Sequence, residues 1–416
     1  MIKVNLSRLF QDNRVQIDNS VKIRDFADNT NQEDLSDDVY DLDIVNYHDL
    51  TYYGALWFFN TDPPQKLQMC FDTGSSWVWV GVENWDGWPQ PNLLSNDQLY
   101  DCTLNEKDQS SITFSSGYIS GKVCKTKISI TESAEQEIQD FQILAVDKAE
   151  LDIAPPVLWD GIVGLLPAYN SKSSSFVNEL KKQGIIERAM FSVRYIDEEY
   201  GSEITFGGYD STYVPSVDNF TYTDVYDNKY WSVGIRKIKY GDVSIGGETV
   251  RGIIDTGSSK IMLPPQDYKR WFIEVTKGKT WGDYGSYKGW YWLNRYDFKD
   301  IFIMFDSFEY KISPINYVEQ VNIDGHIFCY FLIGELQNST LPTAILGDPF
   351  IRNYYILHDM ESQRIGLYGG YMVYYPPDSN RFFKFFAITA CIGITLLGFI
   401  LYIYTRDANR QAAKNF

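Results

Sequence analysis

The sequence predicts a mostly β protein of two similar lobes, followed by one membrane-spanning helix. Three observations carry that expectation. A six-residue segment occurs twice in nearly the same form, as Phe71–Ser76 (FDTGSS) and Ile254–Ser259 (IDTGSS). From Tyr52 to about Tyr368, short apolar and aromatic runs are broken by Gly, Asn, Asp and Pro, the pattern of strands and tight turns. Phe385–Tyr404 is 20 residues without a charge.

Composition agrees and narrows the function. The chain has 416 residues, 44% hydrophobic and 22% charged, which is globular and more than one ordinary core can hold. Aromatic residues reach 16%, suiting strands and grooves better than helical bundles. With 37 basic against 55 acidic residues the net charge is −18, which repels a phosphate backbone and excludes nucleic acid as an expected partner. Such an acidic chain loses self-repulsion as carboxylates protonate, which suits an acidic compartment; composition is equally consistent with a charge that serves only solubility. Only His48, His326 and His358 are present, and no HExxH or CxxC spacing occurs, so neither a metal site nor a cofactor is expected. Gly252–Lys260 (GIIDTGSSK) looks like a phosphate loop until Ser258, which stands where the lysine is required.

Along the chain, Glu33–Asp43 holds six acidic residues in eleven and reads as a solvated linker. Helical spacing over Ser175–Glu187 passes into a strand at Phe191–Tyr195. Each DTG segment is followed by two aliphatics and a glycine, Ile162-Val163-Gly164 and Ile345-Leu346-Gly347. From Asp72 to Gly164 is 92 residues, and from Asp255 to Gly347 is also 92. The matched spacing marks a duplicated β unit.

The repeated tripeptide has a chemical use. A strand delivers an acid to a turn, and glycine lets backbone approach without a Cβ clash. Two such turns facing across a two-fold axis bring Asp72 and Asp255 together. Like charges that close share a proton, so one carboxylate can take a proton from water while the other gives one to a carbonyl oxygen. A single DTG is usually just a turn; two at matched positions point to peptide hydrolysis without metal or covalent intermediate.

On these residues the chain resembles the pepsin-like aspartic peptidases, from about Met1 to Tyr368. The resemblance also rests on Tyr52-Tyr53-Gly54, Pro63-Pro64-Gln65, Trp79, Trp159–Leu165 (WDGIVGL) and Ala344–Asp359 (AILGDPFIRNYYILHD). It implies a bilobal pepsin-like fold with pseudo-two-fold related lobes, acting as a monomer on protein or peptide substrates, to which the uncharged run at 385–404 adds one C-terminal transmembrane helix. Asp72 and Asp255 would be the catalytic pair. Thr73 and Thr256 would bond across to the opposite loop, Gly74 and Gly257 would complete the turns, and Ser75 and Ser258 would hydrogen-bond the carboxylates. Ile112–Gly121 (ITFSSGYISG) aligns with the flap, placing Phe114, Ser115, Ser116 and Gly117 over the cleft beside Trp79. The family usually has Tyr-Gly where this chain has Phe114-Ser115. Cys102 and Cys124, flanking the flap, form the candidate disulfide.

The implied organisation is a prosegment-like region over 1–38, a first lobe over 39–210, a second over 211–372, a linker over 373–384, the span at 385–404 and a cytosolic tail over 405–416. A prosegment lysine usually pairs with the dyad in this family; here no Lys or Arg lies between Arg24 and Lys66, and Tyr47 sits where a cleft-blocking tyrosine would. A helix of 20 residues rises about 30 Å, enough to cross a bilayer core. Membrane association through 385–404 would leave the catalytic lobes lumenal or extracellular (secretory pathway, lysosome or vacuole, or cell surface), where Asn219 and Asn338 are glycosylation sequons. Met1–Phe10 has no apolar run of seven, so this topology needs a leader upstream, the other arrangement being a cytosol-facing tail-anchored protein. The alternative function is a catalytically weak, pepsin-fold peptide-binding membrane protein, motivated by Phe114-Ser115.

Overall fold

The computed structural model describes residues 39–47, 51–103, 110–114, 117–151, 159–166, 175–196, 201–227, 229–247, 249–278, 281–284, 287–291, 295–323, 326–336 and 342–374. The prosegment-like region 1–38, Ser115, Ser116, the sequon at Asn338, and the expected linker from 375, span and tail lie outside the described residues. Among the described residues no helix is long and apolar enough to cross a membrane.

Strands dominate. One 13-stranded sheet runs, in spatial order, Thr221–Asp224, Arg364–Tyr368, Tyr355–Asp359, Met190–Arg194, Ser202–Phe206, Tyr40–Tyr47, Thr51–Phe58, Gln65–Asp72, Gly161–Gly164, Val78–Trp88, Ile138–Leu151, Gly117–Ser129 and Ser110–Phe114. A second sheet has Ile261–Leu263, Thr343–Leu346, Arg251–Ile254, Ser232–Tyr240 and Ile301–Phe305 as consecutive neighbours. A third, four-stranded and antiparallel, joins Trp281–Tyr284, Tyr287–Tyr291, His326–Phe331 and Val318–Ile323.

The 92-residue spacing has a direct structural meaning. Gln65–Asp72 pairs in parallel with Gly161–Gly164, putting Asp72 opposite Gly164; Arg251–Ile254 pairs in parallel with Thr343–Leu346, putting Ile254 opposite Leu346. Both registers are offset by 92. A third strand then lies antiparallel to each companion strand, Val78–Trp88 in the first repeat and Ile261–Leu263 in the second. Both companion strands are interior to their sheets, with Val163 and Leu346 fully buried and Ile162 and Ile345 half-buried, an environment that suits unbroken aliphatic pairs.

The strands of the second half do not stay together. Tyr355–Asp359 returns to pair with Met190–Arg194, and Thr221–Asp224 pairs with Arg364–Tyr368, so the halves drawn at residue 210 share the first sheet. Described residues up to Asp306 and from Tyr310 to Met372 belong to one compact unit.

Its core is a chain of rings. Phe141, Phe176, Phe206, Phe191 and Trp231 touch in series at centroid separations of 5.5–6.3 Å, each ring at most 2% exposed. Burying each such side chain contributes about 2 kcal/mol. His358 completes the series, fully buried, stacked on Phe191 at 4.5 Å and edge-on to Trp231 at 4.9 Å. Neither ring nitrogen makes a well-formed hydrogen bond among the described residues, and burial lowers its pKa to about 3, opposed in part by the Phe191 backbone.

The helix expected over Ser175–Glu187 is Phe176–Lys182, with the Ser175 hydroxyl accepting from Asn178 N–H. It is shorter than the periodicity because Gly184 turns the chain at φ 73°. Cys102 and Cys124 are disulfide-bonded, closing a 22-residue separation beside the flap. A crosslink of that length stabilises by on the order of 3 kcal/mol. Cys70 and Cys329 are buried thiols.

Candidate active site

Each DTG loop begins where its strand ends, and each is tied to the companion strand. Asp72 C=O accepts from Leu165 N–H at 2.8 Å and Ser75 C=O from Leu166 N–H at 2.9 Å. In the second repeat Asp255 N–H donates to Leu346 C=O at 3.2 Å, and Ser258 C=O accepts from Asp348 N–H at 2.9 Å. The loop position is therefore dictated by the parallel pairing.

The two loops are then locked to one another by their threonines. Thr73 N–H donates to Thr256 Oγ1 at 2.9 Å, and Thr256 N–H donates to Thr73 Oγ1 at 2.9 Å. Each hydroxyl donates onward to the carbonyl preceding the opposite aspartate's loop: Thr73 Oγ1 to Ile254 C=O at 2.9 Å, Thr256 Oγ1 to Phe71 C=O at 2.7 Å. Thr73 is 0% exposed and Thr256 4%, so all four bonds are out of water. Each such bond is worth about 1 kcal/mol when made, and more is lost when one buried partner is orphaned.

Within each loop the carboxylate accepts from the glycine two residues on, Asp72 Oδ1 from Gly74 N–H at 2.7 Å and Asp255 Oδ1 from Gly257 N–H at 3.0 Å. Each glycine also lies against the other aspartate. A Cβ on Gly74 would stand 2.7 Å from Asp255 Oδ1, and one on Gly257 would collide with Asp72 Oδ1. Only a residue without a side chain lets both carboxylates occupy this space. Asp72 is 7% exposed and Asp255 is half-buried. Burial pushes the Asp255 carboxyl well above the usual carboxylate range, the neighbouring Asp72 adds to the rise, and Gly257 N–H opposes it.

The serines differ from the expectation. Ser258 Oγ donates to Lys260 C=O at 3.1 Å, and buried Ser75 Oγ has no partner among the described residues. Neither hydroxyl reaches a carboxylate, because glycine N–H groups already occupy the near oxygens and Ser258 has a local carbonyl to satisfy it.

Ser110–Phe114 and Gly117–Ser129 form a hairpin, the one expected to act as the flap, with Phe114 opposite Gly117; Ser115 and Ser116 lie outside the described residues. Gly117 has φ 139°, a conformation disfavoured for side-chain-bearing residues. Phe114 is half-buried against Trp79, centroids 6.4 Å apart, in a cluster with Trp77 and Trp159. Trp79 is 1% exposed, and its indole N–H has no partner among the described residues. Tyr118 does not substitute for a tyrosine at 114, since its hydroxyl donates to Glu150 Oε1 at 2.8 Å on an exposed face.

Phe114→Tyr is therefore expected to raise kcat/KM by roughly 2- to 12-fold, the scale of one hydrogen bond of about 0.5–1.5 kcal/mol. The new hydroxyl would accept from the unpaired Trp79 N–H and hold the flap down. Steady-state kinetics of Phe114→Tyr, Trp79→Phe and the double mutant check this; equal effects of the hydroxyl with and without the indole would sink it.

Sequence reading singled out neither Lys260 nor His358 as more than a letter. The signal for Lys260 was available in the repeat, five residues after Asp255, where the first repeat has Trp77.

Among known proteins, the profile of the eukaryotic aspartyl protease family matches residues 58–368. Cathepsin E of Cavia porcellus is 29% identical over 335 residues, covering 78% of this chain and 82% of that protein. An embryonic pepsinogen of Gallus gallus is 27% identical, with 78% and 82% covered. A vacuolar aspartic protease of Candida albicans is 27% identical over 349 residues, with 79% and 77% covered.

Proposed function

Because the chain belongs to the eukaryotic aspartyl protease family, we propose that it is an aspartic endopeptidase in which Asp72 and Asp255 activate water between them. The observation that carries this reading is the reciprocal threonine lock, which holds both acids at one point with each carboxylate against the other loop's glycine. Alone, either loop is an ordinary turn.

The chemistry follows from one proton shared by the pair. The ionised carboxylate takes a proton from water as the water oxygen bonds to the peptide carbonyl carbon. The protonated carboxyl gives its proton to the carbonyl oxygen, leaving a neutral tetrahedral diol. Collapse of the diol returns a proton to the dyad, the amide nitrogen accepts another, and the C–N bond breaks. The raised Asp255 pKa supports its role as the proton holder in the resting pair. The flap, with Phe114 over Trp79, would exclude bulk water. Thr73, Gly74, Thr256 and Gly257 position the acids; Ser75 and Ser258 support the loops.

The expected pH profile of kcat/KM is bell-shaped and acidic. As pH rises, the shared proton on the raised Asp255 is lost and turnover falls; at low pH a second proton binds and removes the base. Peptide-library cleavage from pH 2.5 to 8, with and without chelator, checks this. A flat profile through neutrality, or loss with chelator, would point to different chemistry.

We further propose that the protein is made as a zymogen and anchored by 385–404 with its lobes lumenal or extracellular, possession of a vacuolar relative agreeing with an acidic setting. One observation favours the second reading, a weak peptide-binding protein: the orphaned Trp79 N–H beside Phe114 leaves the flap less firmly held. The same cleavage assay separates the two.

A further inference from the structure

The two repeats differ in charge at one matched position. Five residues beyond Asp72 is Trp77, and five beyond Asp255 is Lys260. These positions are equivalent in the fold. Each leads from its DTG loop into the antiparallel strand, with the next residue facing the companion strand one residue before its glycine: Val78 opposite Val163, Ile261 opposite Leu346. Trp77 is 9% exposed and packs with Trp79, Trp159 and Phe114, so the first repeat builds an apolar wall there.

Lys260 places a cation at the corresponding point of the second repeat. It is half-buried, and desolvation lowers its pKa with no carboxylate acting on it. Among the described residues its ammonium has no ion-pair partner. Two other partly enclosed cations have carboxylate partners, Arg251 on Asp227 and Arg364 on Asp359. Nor does Lys260 act as the counter-ion of the dyad, since desolvation alone shifts its pKa. A desolvated, unpaired ammonium is unfavourable in the free protein and becomes favourable when an anion arrives. The Ser258 hydroxyl on Lys260 C=O fixes its backbone while leaving the side chain uncommitted.

We propose that Lys260 is a specificity-determining residue that receives an acidic side chain, Asp or Glu, of the peptide in the part of the cleft bordered by the second repeat. This rests on the endopeptidase reading.

The test uses full-length protein and peptides with Glu or Gln placed in turn at four positions on each side of the cleaved bond. kcat/KM is measured at pH 5.5, where Glu is ionised, and binding of the same peptides is measured on the Asp72→Asn protein. Glu is expected to exceed Gln by about tenfold at one or two adjacent positions, chiefly in KM, with the advantage shrinking in high salt and below about pH 4. Lys260→Met should bring the Glu/Gln ratio to about 1 and Lys260→Glu should invert it, whereas Lys260→Arg should keep it. Because the readout is a ratio, lowered overall activity of a variant does not mimic the effect, and the salt dependence needs no variant. A Glu/Gln ratio that is the same in wild type and Lys260→Met at every position would overturn the proposal. If wild type cleaves nothing, the endopeptidase reading fails, and the binding ratios still decide the role of Lys260.

Discussion

Asp72→Asn and Asp255→Asn are each expected to lower peptide cleavage by at least about 10⁴-fold while leaving the fold intact. Asparagine keeps an oxygen for the glycine N–H, at Gly74 in one loop and Gly257 in the other, so the Asx-type turn survives. It cannot share a proton as a carboxyl does, and one remaining acid cannot perform both transfers. The threonine lock uses backbone and hydroxyl groups only, so it is untouched by either change. The double mutant should be no slower than the singles, because the pair acts as one unit. Cleavage rates and thermal midpoints of the three variants check this. Substantial turnover by either single mutant, with inhibition by a hydroxyl-bearing peptide analogue retained, would remove the assignment.

The second large effect concerns stability in acid. His358 has a folded-state pKa lowered to about 3, against an ordinary value near 6.5. The sign follows from linkage. Below about pH 6.5 the unfolded chain binds a proton on this residue that the folded chain refuses, so stability is lost as pH falls from there toward 3. The maximum slope is about 1.4 kcal/mol per pH unit, so the cost at pH 4 is on the order of 3 kcal/mol. Among the described residues nothing ionisable is seen to offset this: the ring contacts Phe191 and Trp231, and its strand neighbours are Phe191 and Ile365. His358→Phe should keep the stack and remove the slope. Urea midpoints at pH 7 and pH 4 give the comparison, with wild type losing about 3 kcal/mol more than the variant between them. Parallel losses in the two proteins would show that the ring is already protonated in the fold, or finds a partner in acid.

Much of the fold and site could be read from residues, for physical reasons that also explain the failures. The repeat and its spacing were legible because a parallel register converts directly into a sequence offset, and the same offset appears at Asp72–Gly164 and Ile254–Leu346. The strands around it were legible because interior strands with little exposure favour consecutive aliphatics. The pairing of Tyr355–Asp359 with Met190–Arg194, on the side away from its hairpin partner Arg364–Tyr368, was not legible, since a contact between such distant segments has no local signature. The serine hydroxyls were misassigned because a hydroxyl rotor follows the nearest unsatisfied carbonyl, and for Ser258 that is Lys260. Lys260 and His358 went unread for a shared reason: polar letters look solvated until the packing around them is known.

The threonine lock has a bearing on biosynthesis. During synthesis the first repeat leaves the ribosome with Asp72 in place but with no Thr256 to receive its loop and no second acid beside it. A chain halted there, or one whose second repeat has collapsed wrongly, carries a lone turn rather than a weakened blade. On the endopeptidase reading, hydrolytic capacity thus requires contact between distant segments of the polypeptide, and neither repeat carries it alone. For an endopeptidase made among proteins it can cut, misfolding would then yield an inert product instead of an indiscriminate one.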